Sequence, residues 1–270
     1  MKRAARGAMA EEIDWIALQS LKMAQEAEDD AAERRYSEEE ELLCKGLARC
    51  LRDLSKAKRE EGDYAGAEAL CRQALEIVEK QFGPEGMWVA RVLRDLALLL
   101  LESKGDLVAV EKLFRRELEI CEKQGGADLW VASGLIRLAL VLKEQAKYAA
   151  TVPLYRRAIA IEEKELGWDH ERVERDLRGL ADMLWRQGDY AAAEPLLRRA
   201  LEIKEKHLGS DHLEVAEALC LLADALEKQA EYAAAESLYR RALAIEKKHR
   251  GPGHQRVAIL KYTVSRLGGG

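Results

Sequence analysis

Apolar residues recur at helical spacing along most of this chain, and the whole pattern repeats every 42 residues. Val173, Leu177 and Leu180, for example, follow the i, i+4, i+7 spacing that places side chains on one face of a helix. A fixed period of this length predicts an array of similar units, each packed on its neighbours, rather than one compact core. Two series mark the period: Val89, Val131, Val173, Val215 and Val257, and Leu54, Leu96, Leu138, Leu180 and Leu222.

Within each unit the pattern predicts two helices joined by a short turn. The first helix carries the valine and leucine series, and the second begins at the tyrosine of a turn such as Gly188-Asp189-Tyr190. Small residues at Ala193 and Ala200 predict a close approach between helices, with the tyrosine ring filling the gap between hairpins. Because glycine adopts the backbone conformation that ends a helix, a glycine series predicts where each second helix stops. Its members are Gly83, Gly125, Gly167, Gly209 and Gly251.

This pattern resembles the tetratricopeptide repeat, in its 42-residue kinesin-light-chain-like form. The resemblance rests on motifs such as Leu180-Ala181, Gly188-Asp189-Tyr190 and Leu208-Gly209, and it covers residues 37–267. It implies an all-α fold, a right-handed superhelix of antiparallel helix hairpins whose first helices line a concave groove. It also implies a tail and capping helix at 1–36, five hairpins at 37–254, and a capping helix with a glycine tail at 255–270.

The second unit and the N-terminal region depart from the pattern. In the second unit Val110 and Glu117 replace the small residues, Leu107 replaces the tyrosine, and the turn is one residue longer. These changes predict either a loose or kinked hairpin or a repacked one. Residues 10–32 predict an amphipathic helix outside the repeat phase, and a capping-box pattern predicts that the next helix begins at Ser37.

Composition limits the partners and the location of the protein. The formal net charge is -5, so the molecule as a whole has no general attraction for a polyanion such as a nucleic acid. The five cysteines show no metal-binding or disulfide spacing and are expected to be reduced thiols. With no secretory leader and no long apolar stretch, the sequence predicts a soluble, cytoplasmic protein that does not enter a membrane.

The residues that could carry chemistry are better explained by the repeat. His207 and His212, like His249 and His254, lie five residues apart, but they and His170 also follow the 42-residue period. Two histidines make a poor metal site, so we expect these residues to cap or pack helix ends. The sequence also contains no nucleophile motif and no glycine-rich phosphate loop. It therefore predicts no enzyme activity, no cofactor and no metal.

Arginines stand repeatedly just before the leucine series, where the resemblance implies that side chains point into the groove. Because guanidinium groups bind carboxylates and phosphates well, they predict an acidic or phosphorylated peptide as ligand. The alternative is that they form exposed i, i+4 pairs of small energy, namely Arg49–Asp53, Arg91–Asp95 and Arg178–Asp182. The arginines concerned are Arg49, Arg52, Arg91, Arg94, Arg137, Arg175 and Arg178.

Trp88 and Trp130, one period apart, each precede the valine series. They are predicted either to anchor a bound peptide, since tryptophan is frequent at binding hot spots, or to pack on the neighbouring hairpin. Groove recognition in kinesin-light-chain-like repeats commonly uses an asparagine just before the leucine series. Here Asp53, Asp95, Arg137, Gly179 and Leu221 occupy that position, so a light-chain-type cargo ligand is not expected.

Together these observations predict a protein–protein interaction scaffold or adaptor that binds a peptide or helix of a partner in its groove. Two alternatives remain open at this point. One is a helical-repeat protein that binds nucleic acid through the arginines, and the other is a regulatory subunit of an enzyme complex. The acidic composition disfavours the first of these.

Overall fold

The structure, a computed structural model, describes residues 30–125 and 128–268, with side chains described from residue 41 onward. The described residues form eleven α-helices in consecutive antiparallel pairs and no strands, which confirms the predicted all-α hairpin fold. None of these helices is long and apolar enough to cross a membrane. The helices are α1 Asp30–Glu60, α2 Tyr64–Phe82, α3 Met87–Glu102, α4 Leu107–Lys123, α5 Asp128–Glu144, α6 Tyr148–Leu166, α7 Glu171–Arg186, α8 Tyr190–Leu208, α9 Leu213–Lys228, α10 Tyr232–Arg250 and α11 Gln255–Gly268.

The chain divides into two compact units, Met1–Gly126 and Ala127–Gly270. In the described part, the first unit holds the hairpins α1–α2 and α3–α4. The second holds α5–α6, α7–α8 and α9–α10, followed by the single helix α11. The first helix of each hairpin supplies much of the core. All five valines of the repeat are buried, and so are four of the five leucines, Leu54 being partly exposed.

The predicted helix ends and helix contacts are largely confirmed. Gly167 and Gly209 end α6 and α8 with φ of 93° and 80°, a conformation that disfavours residues with a side chain. Ala193 and Ala200 are fully buried, as expected for close helix contact. The tyrosines do not fill the gap between hairpins throughout. Tyr232, the first residue of α10, is 53% exposed.

The second hairpin is repacked rather than kinked. Its second helix, α4, runs without a break, and Val110 and Glu117 are both buried within it. The other hairpins join their helices with three residues, whereas this one uses four, residues 103–106. Lys104 has a positive φ of 56° at the same repeat position as Gly62. The extra residue therefore lies after Lys104, and the 42-residue phase is kept up to Lys104.

The predicted start of the first hairpin is wrong. The helix α1 begins at Asp30 and continues through Ser37, so Ser37 is a helix-interior residue and not a cap. Four glutamates follow it directly, and glutamate is a good helix former that allows the helix to continue. Most of the helix predicted over residues 10–32 lies outside the described residues.

Ion pairs with one buried and one partly exposed partner lie where the second helix of one hairpin meets the first helix of the next. The helix that carries the acid alternates along the second unit. The acid lies on the second helix of the hairpin at the first and third junctions, and on the first helix of the next hairpin at the second junction. The equivalent positions of the first unit hold the apolar pair Val78 and Trp88. The ion pairs are Glu162 with Arg172 at 2.9 Å, Lys204 with Glu214 at 2.7 Å, and Glu246 with Arg256 at 3.1 Å.

Candidate functional site

Three first helices of the second unit, α5, α7 and α9, surround a cavity of about 550 Å³. The second helices α6 and α8 contribute one residue each, Tyr155 and Leu197. We call this cavity the groove. Its size falls within the range of pockets that bind small molecules or single peptide side chains.

Apolar side chains stand exposed along the groove. Leu140 of α5, Trp185 of α7 and Leu221 of α9 are 46%, 39% and 41% exposed, and all three line the cavity. The ring of Trp185 is held edge-to-face against Tyr190, with 5.8 Å between ring centroids. Large apolar residues grouped around one cavity in this way mark a binding surface more often than residues scattered singly. Leu140 and Trp185 were not among the predicted site residues, although an apolar residue outside the core face of a helix is a usable signal.

Two of the predicted arginines, Arg175 and Arg178, line this cavity. The Nε of Arg175 donates to Asp176 Oδ1 at 2.9 Å, and the Nε of Arg178 lies 3.8 Å from Glu174 Oε1. Their side chains remain 54% and 37% exposed, so each guanidinium keeps an edge open to solvent. Both can therefore bind an incoming carboxylate or phosphate while keeping their internal partners.

Carboxylates balance these cations. Asp176, Asp182 and Asp224 line the groove together with Lys143 and the two arginines. Asp182 pairs with Lys143 at 2.8 Å and with Arg186 at 3.0 Å, rather than forming the i, i+4 pair with Arg178 that the sequence suggested. The groove is thus a mixed-charge surface with a cationic and an anionic part, and it has no excess of positive charge.

At the floor of the groove, Tyr155 lies against the backbone of Gly179. A Cβ atom at Gly179 would lie 2.6 Å from Cε1 of the tyrosine ring and 2.8 Å from its hydroxyl oxygen, so any side chain here would displace the ring. Burial, and next the nearby carboxylates Asp176 and Asp182, raises the pKa of Tyr155 to about 12. The hydroxyl therefore remains protonated at neutral pH.

Three of the four predicted arginines of the first unit are engaged in internal contacts. Arg52 of α1 forms an ion pair with Asp95 of α3 and is largely buried, and Arg94 lies 3.8 Å from the same carboxylate. Arg91 lies over the ring of Trp88 at 5.0 Å, and that ring stacks on Phe82 with 6.4 Å between centroids. Trp88 therefore packs within its unit, which supports the packing alternative. Asp95 serves Arg52 and Arg94 as ion-pair partner.

The remaining predicted residues lie apart from the groove. Arg49 of α1 is exposed in the first unit, and the ion pair of its neighbour Asp53 is with Lys56 at 3.6 Å. Arg137 and Trp130 belong to α5 but are not among the residues that line the cavity. Of the nine residues predicted to bind a ligand, the structure therefore brings Arg175 and Arg178 together at one cavity.

The histidines have the predicted capping role. His170, His212 and His254 each accept a hydrogen bond at Nδ1 from the backbone N–H two residues later, at 3.1, 3.2 and 3.3 Å. His207 and His249 hydrogen bond to the carbonyl oxygens of Asp169 and Asp211, both at 2.7 Å. Among the described residues, no group of three or more His, Cys, Asp or Glu is placed to hold a metal ion. None of the five cysteines forms a disulfide.

Comparison with known proteins identifies the repeat. The tetratricopeptide repeat family matches residues 46–123, 130–206 and 177–248. No curated protein matches the chain significantly. The chain is similar to the crystal structure of a putative kinesin light chain from Podosopora anserina, with nearly identical TPR-like repeats. The TM-score is 0.64 and the identity 21%, over 74% of this chain and 95% of that one.

Two further solved structures show the same fold. BtubC (BKLC) from P. vanneervenii has a TM-score of 0.65 and 20% identity, over 90% of this chain and 93% of that one. YrrB, described as a TPR protein with an unusual peptide-binding site, has a TM-score of 0.55 and 13% identity, over 80% and 92%. The resemblance to kinesin-light-chain-like repeats is thereby confirmed at the level of the fold. Since the family matches cover more than half of its length, the chain belongs to the tetratricopeptide repeat family.

Proposed function

We propose that this protein is a non-catalytic, cytoplasmic interaction scaffold whose second unit binds an extended peptide of a partner protein in the groove. Proteins with this fold generally mediate protein–protein interactions. The observation that carries the proposal is the placement of three exposed apolar side chains and two accessible guanidinium groups around one cavity. A preformed surface of this kind lowers the ordering cost of binding.

The lining predicts the chemistry of the peptide. A large apolar side chain fits between Ile136, Leu140 and Leu221. Its burial there removes from water both its own apolar surface and that of the three lining residues. An acidic or phosphorylated residue nearby reaches the open edges of Arg175 and Arg178. The ligand is therefore a short segment in which an apolar anchor is flanked by a negative charge.

The groove favours a peptide over a nucleic acid. Three carboxylates, Asp176, Asp182 and Asp224, face the same space as its three cations. A polyphosphate backbone would meet these carboxylates at every step, and nucleic-acid binding depends on many uncompensated cations. A peptide carries isolated charges, so it can place its acid at the arginines and avoid the aspartates.

The test is selection of random short peptides, displayed on phage, on the full-length chain. We expect the selected peptides to share a large apolar residue beside an aspartate or glutamate. Synthetic copies should lose at least about tenfold in affinity, by isothermal titration calorimetry, for the double variant Arg175→Glu, Arg178→Glu. Leu221→Asp should weaken binding as well, because it places a carboxylate among the apolar anchors.

The matched control is Arg198→Glu, on the second helix α8. Arg198 is 51% exposed and also has an acidic partner, Glu194 at 2.7 Å, but it does not line the groove. This variant should bind the selected peptides as the unchanged protein does. Failure to select any peptide, or equal affinity in all variants, would contradict the proposal. A gel shift with single-stranded RNA at low salt, abolished by the same double variant, would favour the nucleic-acid alternative.

A further inference from the structure

Tyr155 is a buried residue with a polar group at the groove. Its side chain belongs to α6, is 4% exposed and is one of the residues that line the cavity. Because the hydroxyl end of the ring lies against Gly179, and Gly179 itself lines the cavity, the hydroxyl is at the groove floor. The missing side chain at Gly179 is what leaves this position open.

Within the part of the chain that the structure describes, this hydroxyl has no hydrogen-bond partner. Tyr239 occupies the equivalent repeat position two units later, and its hydroxyl donates to Asp224 and lies 3.5 Å from Glu227. The Tyr155 hydroxyl oxygen is not fully buried and meets the open space of the groove. Unlike the hydroxyl of Tyr239, it is therefore available to an acceptor from outside the chain.

The surroundings select the kind of partner. Burial and the neighbouring carboxylates Asp176 and Asp182 favour the neutral phenol, so the group acts as a donor. Those same carboxylates disfavour an anionic acceptor beside them. A neutral carbonyl oxygen is therefore the acceptor that fits. An extended peptide presents a main-chain carbonyl at each residue, while its side chains contact Leu140 and Leu221.

We propose that the Tyr155 hydroxyl, presented beside Gly179, donates a hydrogen bond to a main-chain carbonyl of the peptide bound in the groove. The inference rests on the proposed function and adds a residue that determines the backbone register of the ligand. The two arginines bind the charge of the peptide at the rim, and Tyr155 binds its backbone at the floor. A peptide can then satisfy both only in one position along the groove.

The first test is Tyr155→Phe, which removes one oxygen atom and keeps the ring. Affinity for a synthetic peptide carrying a selected sequence should fall about three- to tenfold, the loss of one neutral hydrogen bond. The thermal midpoint of the free protein should not fall, because the hydroxyl has no internal partner to lose. Tyr239→Phe is the comparison variant and should lower the thermal midpoint, because its hydroxyl has an internal partner in Asp224.

The second test identifies the carbonyl. Peptide analogues with one amide replaced by an ester carry a weaker acceptor at that position. One analogue should bind the unchanged protein less tightly than the parent peptide does. The same analogue and the parent peptide should bind Tyr155→Phe with equal affinity. A double-mutant cycle measures this difference as a coupling energy between the hydroxyl and the carbonyl. Gly179→Ala should also lower affinity, since its Cβ displaces the ring, with circular dichroism confirming that the variant is folded.

The outcomes separate the two proposals. If no peptide binds in a manner that depends on Arg175 and Arg178, the proposed function is wrong. If peptides bind with that dependence, but Tyr155→Phe binds them equally and no ester position is coupled, the inference about Tyr155 is wrong. In that case the hydroxyl is satisfied by water in the bound state.

Discussion

The side chain of Glu162 is completely buried, with Arg172 and Asp176 as charged neighbours. Arg172 is 2.9 Å away. Burial first, and next the Asp176 carboxylate, raises the pKa of Glu162 from 4.5 to about 7, and the two nearby arginines oppose this shift. The folded protein therefore keeps this proton at pH values where the unfolded chain has lost it. The resulting stabilisation is complete below about pH 4.5 and is lost as the pH rises through about 7.

Replacing Glu162 with glutamine should remove this pH dependence, because the amide stays neutral throughout. The free energy of unfolding of the unchanged protein, relative to that of Glu162→Gln, should fall by on the order of 2 kcal/mol from about pH 5 to about pH 7.5. Urea denaturation at the two pH values measures it. Taking the difference between the two proteins cancels the other titrating groups. Parallel pH profiles would show that Glu162 is ionised in the folded state.

At this scale the sequence was informative where the cause is local. His170 could be predicted as a cap because the acceptor and its backbone donor are two residues apart. The burial of Glu162 could not be predicted, since its neighbours Glu163 and Lys164 give the segment the pattern of a solvated helix face. Burial of that carboxyl results from the stacking of α7 on α6, which no local pattern contains.

At the scale of helices, we expect the alternating ion pairs to disfavour a hairpin stacked on the wrong neighbour. A hairpin placed on the wrong neighbour would bring the buried Glu162 opposite Glu214, a second acid. Buried ion pairs contribute little net stability compared with apolar pairs, but an unmatched buried charge is very costly. The pairs therefore act mainly against wrong stacking, whereas the apolar pair Val78 and Trp88 carries no such discrimination.

The change Lys204→Glu should test this role. It places a carboxylate beside Glu174 and Glu214, which lie 3.4 and 2.7 Å from the lysine nitrogen. We expect a loss of about 3–5 kcal/mol in the free energy of unfolding, measured by urea denaturation. Adding Glu214→Arg and Glu174→Ala rebuilds the arrangement of the neighbouring junctions and should recover most of the loss. No recovery in the triple variant would show that the junctions are not equivalent.

Helix boundaries were predictable where glycine or a turn residue determines them, and less so elsewhere. The end of α8 at Gly209 follows from its positive φ of 80°. The start of the first helix was wrong because a capping-box pattern at Ser37 also suits a helix interior rich in glutamate. The repacking of Val110 and Glu117 was one of two alternatives, and the choice depended on space available only in the folded hairpin.

At the scale of the molecule, almost all contacts join helices that are adjacent in sequence. Stability in such an array is approximately the sum of local terms, and parts of it can open separately. Leu219 of α9 is fully buried, so Leu219→Ala should cost about 2–5 kcal/mol. Hydrogen exchange followed by mass spectrometry should show faster exchange in α8 to α11.

The same variant should leave exchange in the first unit unchanged, for example around the buried Leu93 and Leu96 of α3. Neighbour-only contacts give the perturbation no direct route from α9 to α3. An equal acceleration of exchange throughout the described helices would contradict this, because it would mean that the chain unfolds as a single cooperative unit.

The sequence by itself determined the 42-residue unit, its two helices and most of their ends. These depend on side-chain periodicity and on backbone preferences acting within a few residues. Only the tertiary structure decided which arginines are engaged internally and which reach solvent. Arg52 is held by Asp95, 43 residues away, whereas Arg175 keeps an open edge at the groove. The floor formed by Tyr155 and Gly179 is likewise a product of stacking, because a repeat period shows which positions are equivalent but not which side chains meet across hairpins.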